Sequence, residues 1–388
     1  MIARDDIREL ANFHSPETCA LTFYYQPATP QDLRYRGESI MVKDLLRNAL
    51  RDAEKDGKNG CARADLERIN GIVESLHGNG GKAKAIFACA SQNFWREFDL
   101  PPQLPKTQVI LNQRFHLKPL AALMREARKT LIVLADRSKA RVFELTKGEL
   151  REQQDFFNEL PRRGKSDGFA GYDGGHAERH LMNDAAQHFK TIAEYLKDRY
   201  ERGGFDQLLI GCHDEQWSEI EPHLHTYPKQ KLIGHFRIDP KVATAEQVKE
   251  VALQRIAEHE GNEKQRLITE INGQAHRNGT GAIGLRRVLR SLETGEVQTL
   301  LLGANFQAPG VKCYNCGHME LHDAKDCAVC GKPNTHLEDI GDAIVGHALR
   351  NNIEILWIDT NEEFDHIGRI AALLRFRADQ NTPMKVAV

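Results

Sequence analysis

The stretch TLIVLADRSKARVFELTKGEL, Thr130–Leu150, sets an apolar run against a polar turn, a second run through Val142, Phe143 and Leu145, and then a glycine at Gly148. Two apolar runs joined by a short polar turn read as a β-hairpin. The pattern restarts here, near residue 128, so this hairpin opens a new sheet. Downstream, Ala177–Tyr200 is helical in character, DQLLIGC and LIGHFRI read as strands, and a long helical stretch covers Thr244–Asn272. Strands alternating with helices predict a largely parallel sheet.

The same reading extends in both directions. Before the hairpin, TCALTFYYQP (Thr18–Pro27) is β-rich and stops at a proline. Helical stretches at Ser39–Glu54 and Ala64–Leu76 follow, then the strand-like KAKAIFACA. The two helices flank KDGKNG, Lys55–Gly60, a polar turn carrying Lys55 and Lys58. A third unit begins around Gly279, where Leu285, Val288, Leu289 and Leu292 fall at helical spacing and Gly295 sits at the expected helix end. VQTLLL then reads as a buried strand, followed by a helix at Asp339–Asn351 and a strand at Glu354–Ile358. The expectation is an α/β chain of three domains, at residues 1–127, 128–277 and 278–388.

With 388 residues, 40% of them hydrophobic and 28% charged, the composition suits packed domains. No window approaches the ~20 consecutive apolar residues of a membrane helix. The opening MIARDDIRELANF is acidic where a secretory signal is basic, so a cytoplasmic location is expected. Lys plus Arg number 53 against 55 Asp plus Glu, which leaves any nucleic-acid contact to local patches. GNGGKAKA lacks the spacing and the Ser or Thr of a P-loop, so nucleotide hydrolysis is not expected.

Four of the eight cysteines are clustered in CYNCGHMELHDAKDCAVCG. Cys313, Cys316, Cys327 and Cys330 form two Cys-x2-Cys pairs, each followed by a glycine. Each pair can form a knuckle that aims two thiolates at one ion. Four thiolates close a tetrahedral shell with no place for a water, so the ion is expected to be structural, with Zn2+ favoured over iron. His318 and His322 are read as surface residues, because the thiolates already fill the shell.

GFAGYDGGHAERH, Gly168–His180, poses a different problem. Five glycines lie between Gly164 and Gly175, behind Arg162 and Arg163 and with Lys165 among them. So many glycines make the segment narrow enough to enter a tight space. His176 and His180 share a helical face, yet HAERH is neither His-Glu-x-x-His nor its inverse, so a metallo-hydrolase is not expected.

The order of these features, a hairpin, a basic glycine-rich loop, a Gly-Gly pair, a long helix and then an α/β domain with a cysteine ribbon, resembles the archaeal and eukaryotic class-one release factors and their relative Pelota. Within them it resembles the bacterial branch that includes the Balon-like ribosome hibernation factors. The likeness runs from about Val109 onward, through GLRRVLRSLETGEVQTLLL and FDHIGRIAALLRFR, and is weaker in the first domain. It implies a three-domain release-factor/Pelota-like architecture, with a zinc ribbon at residues 311–334 inserted in the C-terminal domain. It also implies a first domain near the decoding centre, with Lys55 and Lys58 on its loop, and a middle domain reaching toward the peptidyl-transferase centre.

In release factors the tip ends in Gly-Gly-Gln, and the matching positions here are Gly174, Gly175 and His176. Glutamine is neutral and both donates and accepts, whereas histidine titrates near pH ~6.5. Tyr172 and Asp173 precede the pair, and a carboxylate is repelled by rRNA phosphates. No Asn-Ile-Lys-Ser loop is found, so stop-codon reading is not carried over. The expectation is therefore a non-catalytic ribosome A-site factor that contacts rRNA, acts in hibernation or rescue, and is delivered by a translational GTPase such as elongation factor Tu. Two alternatives are a peptidyl-tRNA hydrolase using a Gly-Gly-His tip, and a zinc-ribbon adaptor without a ribosomal role.

Overall fold

The computed structural model describes residues 4–16, 18–27, 35–55, 59–76, 82–100, 106–123, 128–146, 148–157 and 174–378. They divide into two compact units, one of residues 1–124 with 266–388 and the other of residues 125–265. The first unit combines segments that the sequence assigns to a first and a third domain. No helix among the described residues is long and apolar enough to cross a membrane.

In the first unit the chain opens with α1 (Arg4–Asn12), β1 (Ala20–Tyr25), α2 (Tyr35–Lys55), α3 (Asn59–Leu76), β2 (Ala83–Cys89), β3 (Phe94–Leu100), β4 (Gln108–Asn112) and α4 (Lys118–Leu123). The four strands form one antiparallel sheet in the order β3-β2-β1-β4. β1 is buried along its whole length because both faces are covered. Leu21, Phe23 and Tyr25 meet Val42 and Leu46 of α2 and Leu66 and Ile69 of α3. Ala20 and Tyr24, one residue out of phase, meet Ile7 and Leu10 of α1 and Phe115. A strand alternates its side chains, so this continuously apolar run fills two cores at once.

The second unit holds β5 (Thr130–Ala135), β6 (Lys139–Thr146), β7 (Glu149–Phe157), α5 (Gly174–Glu201), β8 (Gln207–Cys212), α6 (Asp214–Ile220), α7 (Thr226–Lys229), β9 (Leu232–Arg237) and the first part of α8 (Ala245–His276). The quoted hairpin is β5–β6. Its turn is set by Asp136, whose Oδ1 accepts from the backbone N–H groups of Ser138 (2.6 Å) and Lys139 (2.7 Å) and from the Ser138 hydroxyl (2.9 Å). An aspartate bonding the backbone just ahead of it makes such a turn locally stable.

The five-stranded order is β7-β6-β5-β8-β9. β5–β8 and β8–β9 are parallel, while β5–β6 and β6–β7 are antiparallel. The sheet is thus mixed rather than largely parallel, because the hairpin is extended by β7. On one face Leu131, Val133, Leu208 and Ile210 pack on Ala185, Phe189, Ile192 and Leu196 of α5. On the other, Ile132, Leu134, Phe143 and Leu209 pack on Val248 and Ala252 of α8.

The remainder of the first unit contains β10 (Gly281–Ile283), α9 (Leu285–Glu293), β11 (Val297–Gly303), β12 (Gly310–Lys312), β13 (Met319–Glu320), β14 (Thr335–Leu337), α10 (Ile340–Arg350), β15 (Glu354–Ile358), α11 (Glu362–His366) and β16 (Ile370–Leu374). Its main sheet runs β10-β16-β11-β15, and β12 is flanked by β13 and β14 in a small antiparallel sheet. Leu300 and Leu302 face Val288, Leu289 and Leu292 of α9 and Ile344 and Val345 of α10. Leu301 faces Ile268 and Ile271 of α8. Gly295, expected to end the helix, follows α9 with φ +70, and the Glu296 N–H returns to the Ser291 carbonyl at 3.0 Å. Only glycine takes that backbone at no steric cost.

The early and late segments of this unit are joined by polar contacts. Lys118 Nζ donates to Asp339 Oδ2 (2.7 Å) and to the Phe306 carbonyl (2.5 Å), and Arg8 donates to Asn352 Oδ1 at 2.7 Å. His347 of α10 is tucked beneath α9, its Nε2–H donating to the Leu292 carbonyl at 3.2 Å. Burial first, and then the nearby Arg350, lower its pKa from 6.5 to about 4.

That shift sets an acid sensitivity. At pH 7 the ring is neutral folded or unfolded, but below pH 6.5 the unfolded chain binds a proton that the folded chain refuses until about pH 4. Stability is therefore lost as pH falls through this window. Urea unfolding at pH 7 and pH 4.5 is expected to show ~2 kcal/mol less acid loss for His347→Gln than for the wild type. Equal losses would assign the sensitivity to other groups.

Candidate functional site

The cysteine segment is built from two matching turns. The Cys313 N–H donates to the His318 carbonyl (2.9 Å) and the Gly317 N–H returns to the Cys313 carbonyl (2.8 Å). The second turn repeats this, from Cys327 to Lys332 (2.8 Å) and from Gly331 to Cys327 (2.9 Å). Gly317 and Gly331 have φ of +83 and +67, the left-handed backbone that lets the chain double back after each Cys-x2-Cys.

The four Sγ atoms consequently lie within 4.8 Å of one another. The nearest pairs are Cys313–Cys330 at 3.4 Å and Cys316–Cys327 at 3.5 Å, far outside disulfide length. A tetrahedral Zn2+ with bonds of ~2.3 Å requires sulfurs ~3.8 Å apart, and the cage fits it. Amide donors aim at the sulfurs, with Val329 N–H 3.4 Å from Cys327 Sγ and Asn315 Nδ2 3.5 Å from Cys330 Sγ. The four thiols share their protons: the Lys332 N–H, followed by the Asn315 amide, pulls the Cys330 thiol down, while the bonds of Cys316 to the other three help push its own thiol up. Thiolate at this position is the form that binds metal.

The two histidines stay outside the cage. His318 Nδ1 lies 2.8 Å from Glu293 Oε1, and His322 is exposed. The cage is also anchored to its surroundings: the Tyr314 hydroxyl, inside the first Cys-x2-Cys, donates to Asn112 Oδ1 of β4 at 2.9 Å. Met319 N–H donates to Glu293 of α9 at 2.8 Å.

The glycine pair lies in the second unit. α5 begins at Gly174, so the backbone of Gly174, Gly175 and His176 forms its first turn, three residues before the start at Ala177 expected from sequence. The first N–H groups of a helix lack partners within it and carry the positive end of its dipole. Arg162, Arg163, Lys165, Tyr172 and Asp173 lie outside the described residues, as does Lys58, while Lys55 is the last residue of α2.

Residues 116–260 match the family described as bacterial archaeo-eukaryotic release factor family 10, a span that takes in nearly all of the second unit. The chain is 24% identical over 310 residues to peptide chain release factor subunit 1 of Thermococcus onnurineus, covering 72% of this chain and 74% of that protein. To the same subunit of Archaeoglobus fulgidus it is 25% identical over 366 residues, covering 87% and 83%. Over most of its length the chain is thus similar to peptide chain release factors. Among solved structures it is similar to a model of ribosome-bound archaeal Pelota and ABCE1, at 12% identity and a TM-score of 0.42, covering 97% of this chain and 94% of that one.

Sequence reasoning reached the glycine pair and the cysteines because each lies in one short segment. It missed a cluster of Arg114, Lys312 and Arg350 that comes together only in the folded first unit. No local pattern marks it.

Proposed function

We propose that this chain is a translation factor that occupies the ribosomal A site without releasing peptide, acting in hibernation or rescue. The observation that carries the reading is the Gly174–Gly175–His176 turn at the start of α5, in a chain similar over most of its length to peptide chain release factors. The glycine pair keeps the narrow tip of that family. The histidine and the preceding Asp173 remove the neutral donor-acceptor and bring a negative charge toward rRNA phosphates.

In this reading Arg162, Arg163 and Lys165 contact rRNA near the peptidyl-transferase centre, and Lys55 and Lys58 lie toward the decoding centre. The cysteine cage holds a structural Zn2+, through Cys313, Cys316, Cys327 and Cys330. A translational GTPase such as elongation factor Tu delivers the factor.

Purified protein is expected to co-sediment with intact ribosomes, and increasing deacylated tRNA in the A site to displace it in proportion. Protein that stays at the top of the gradient with ribosomes from both growing and starved cells would remove the ribosomal reading and leave the adaptor.

A further inference from the structure

The first unit holds a partly open cavity of about 410 Å³ where β4 and the turn after it face β12, β14 and α10. Three cationic side chains line it, Arg114, Lys312 and Arg350. Lys312 is only 5% exposed, and among the described residues its Nζ makes no hydrogen bond or ion pair; its nearest partner is the Tyr314 ring, 5.5 Å away at the centroid. Arg114 and Arg350 are half-buried, and the bonds they make are to backbone carbonyls, of Phe13 at 3.2 Å and Ala11 at 3.4 Å. Among the described residues none of the three has a carboxylate at ion-pair distance.

The acids in the same wall are engaged elsewhere or turned outward. Asp342 Oδ1 lies 2.9 Å from His116 Nδ1 and accepts the N–H groups of Leu117 (3.1 Å) and Lys118 (3.2 Å). Asp339 takes Lys118 Nζ at 2.7 Å and the Gly341 N–H at 2.9 Å. Glu338 is exposed. Lys312 and Tyr314 line the cavity, while Cys313 between them belongs to the cage.

Asp342 acts on Lys312 and Arg350 from beyond ion-pair distance, one carboxylate against three cations; buried like charges in such excess are unfavourable, and a bound anion relieves both their repulsion and their lost hydration. The volume is that of a small-molecule site. Two guanidinium forks and an ammonium match the several oxygens and multiple charge of phosphate, whereas one carboxylate would leave two of the cations unmatched. We propose that this cavity binds a small phosphate-bearing anion, its phosphate or pyrophosphate group held by Arg114, Lys312 and Arg350. Arg114 lies near the first sheet and the other two lie on β12 and α10, so the bound anion also ties the early and late segments of this unit together. This inference does not depend on the ribosomal reading.

The test is isothermal titration of the full-length, metal-loaded protein with inorganic phosphate, pyrophosphate and ADP at matched ionic strength, beside thermal melts. Saturable binding of at least one probe is expected, with a higher melting temperature. Arg350→Gln and Lys312→Met are each expected to weaken binding at least tenfold with unchanged zinc content and circular dichroism. Arg350→Gln decides alone if Lys312→Met disturbs the neighbouring cage. Tighter binding of ADP than of pyrophosphate assigns the site to nucleotides, and equal binding assigns it to the phosphate group. No saturable binding of any probe at millimolar concentration, or unchanged affinity in Arg350→Gln, overturns the proposal.

Discussion

Cys327→Ser is expected to strip the protein of its metal and to unfold the segment from β12 to β14. Protein purified without chelator should carry close to one equivalent of zinc, and the variant close to none. The expectation rests on how little else holds this segment. Its three strands contribute Gly310–Lys312, Met319–Glu320 and Thr335–Leu337, too few residues for a core of their own. In isolated zinc domains the metal supplies ~10 kcal/mol or more of folding free energy, comparable to the stability of a whole domain. The loss should spread partway beyond the cage, because Met319 is buried in the core shared with α9 and α10. Elemental analysis separates zinc from iron, and amide exchange of residues 310–337 reports the unfolding. Less than about half an equivalent of either metal in the wild type, or unchanged exchange in the variant, would defeat the assignment.

The contrast between the cage and the rest of the first unit shows what a sequence makes legible. Both Cys-x2-Cys pairs and their glycines sit in one short segment, so ligand type, spacing and backbone need are read together. The β5–β6 hairpin was legible for a similar reason: apolar runs and the Asp136 turn are neighbours in the chain. β7 was not, because ELREQQDFF is mostly polar. It pairs with β6 at the sheet edge, where backbone hydrogen bonds hold a strand whose sequence carries little apolar signal. The association of the early and late segments was also illegible, since Lys118 meets Asp339, and His116 meets Asp342, only after two separate sheets have formed. The Arg114, Lys312 and Arg350 cluster inherits that difficulty. Each residue alone reads as an ordinary surface cation, and the cavity exists only once β4, β12 and α10 are in place.

Added to ribosomes carrying peptidyl-tRNA, the protein is expected to release peptide no faster than about tenfold above buffer alone. One well-placed donor to a developing oxyanion is worth ~10²–10³ in rate, so on the proposed reading, in which His176 takes the place of a tip glutamine, the difference from an active release factor is measurable. The expectation is sharpened by His176→Gln, which should not restore full release. Restoring the amide leaves Tyr172 and Asp173 ahead of the glycine pair, and that carboxylate still meets the phosphate field of rRNA. Asp173→Asn combined with His176→Gln should therefore release more peptide than either change alone. Binding to ribosomes should persist in all of these variants, because the basic residues Arg162, Arg163 and Lys165 are untouched, so a loss of release cannot be mistaken for a loss of binding. Fast, saturable release by the unmodified protein, abolished by His176→Ala, would instead assign His176 a direct part in hydrolysis and make the chain a peptidyl-tRNA hydrolase.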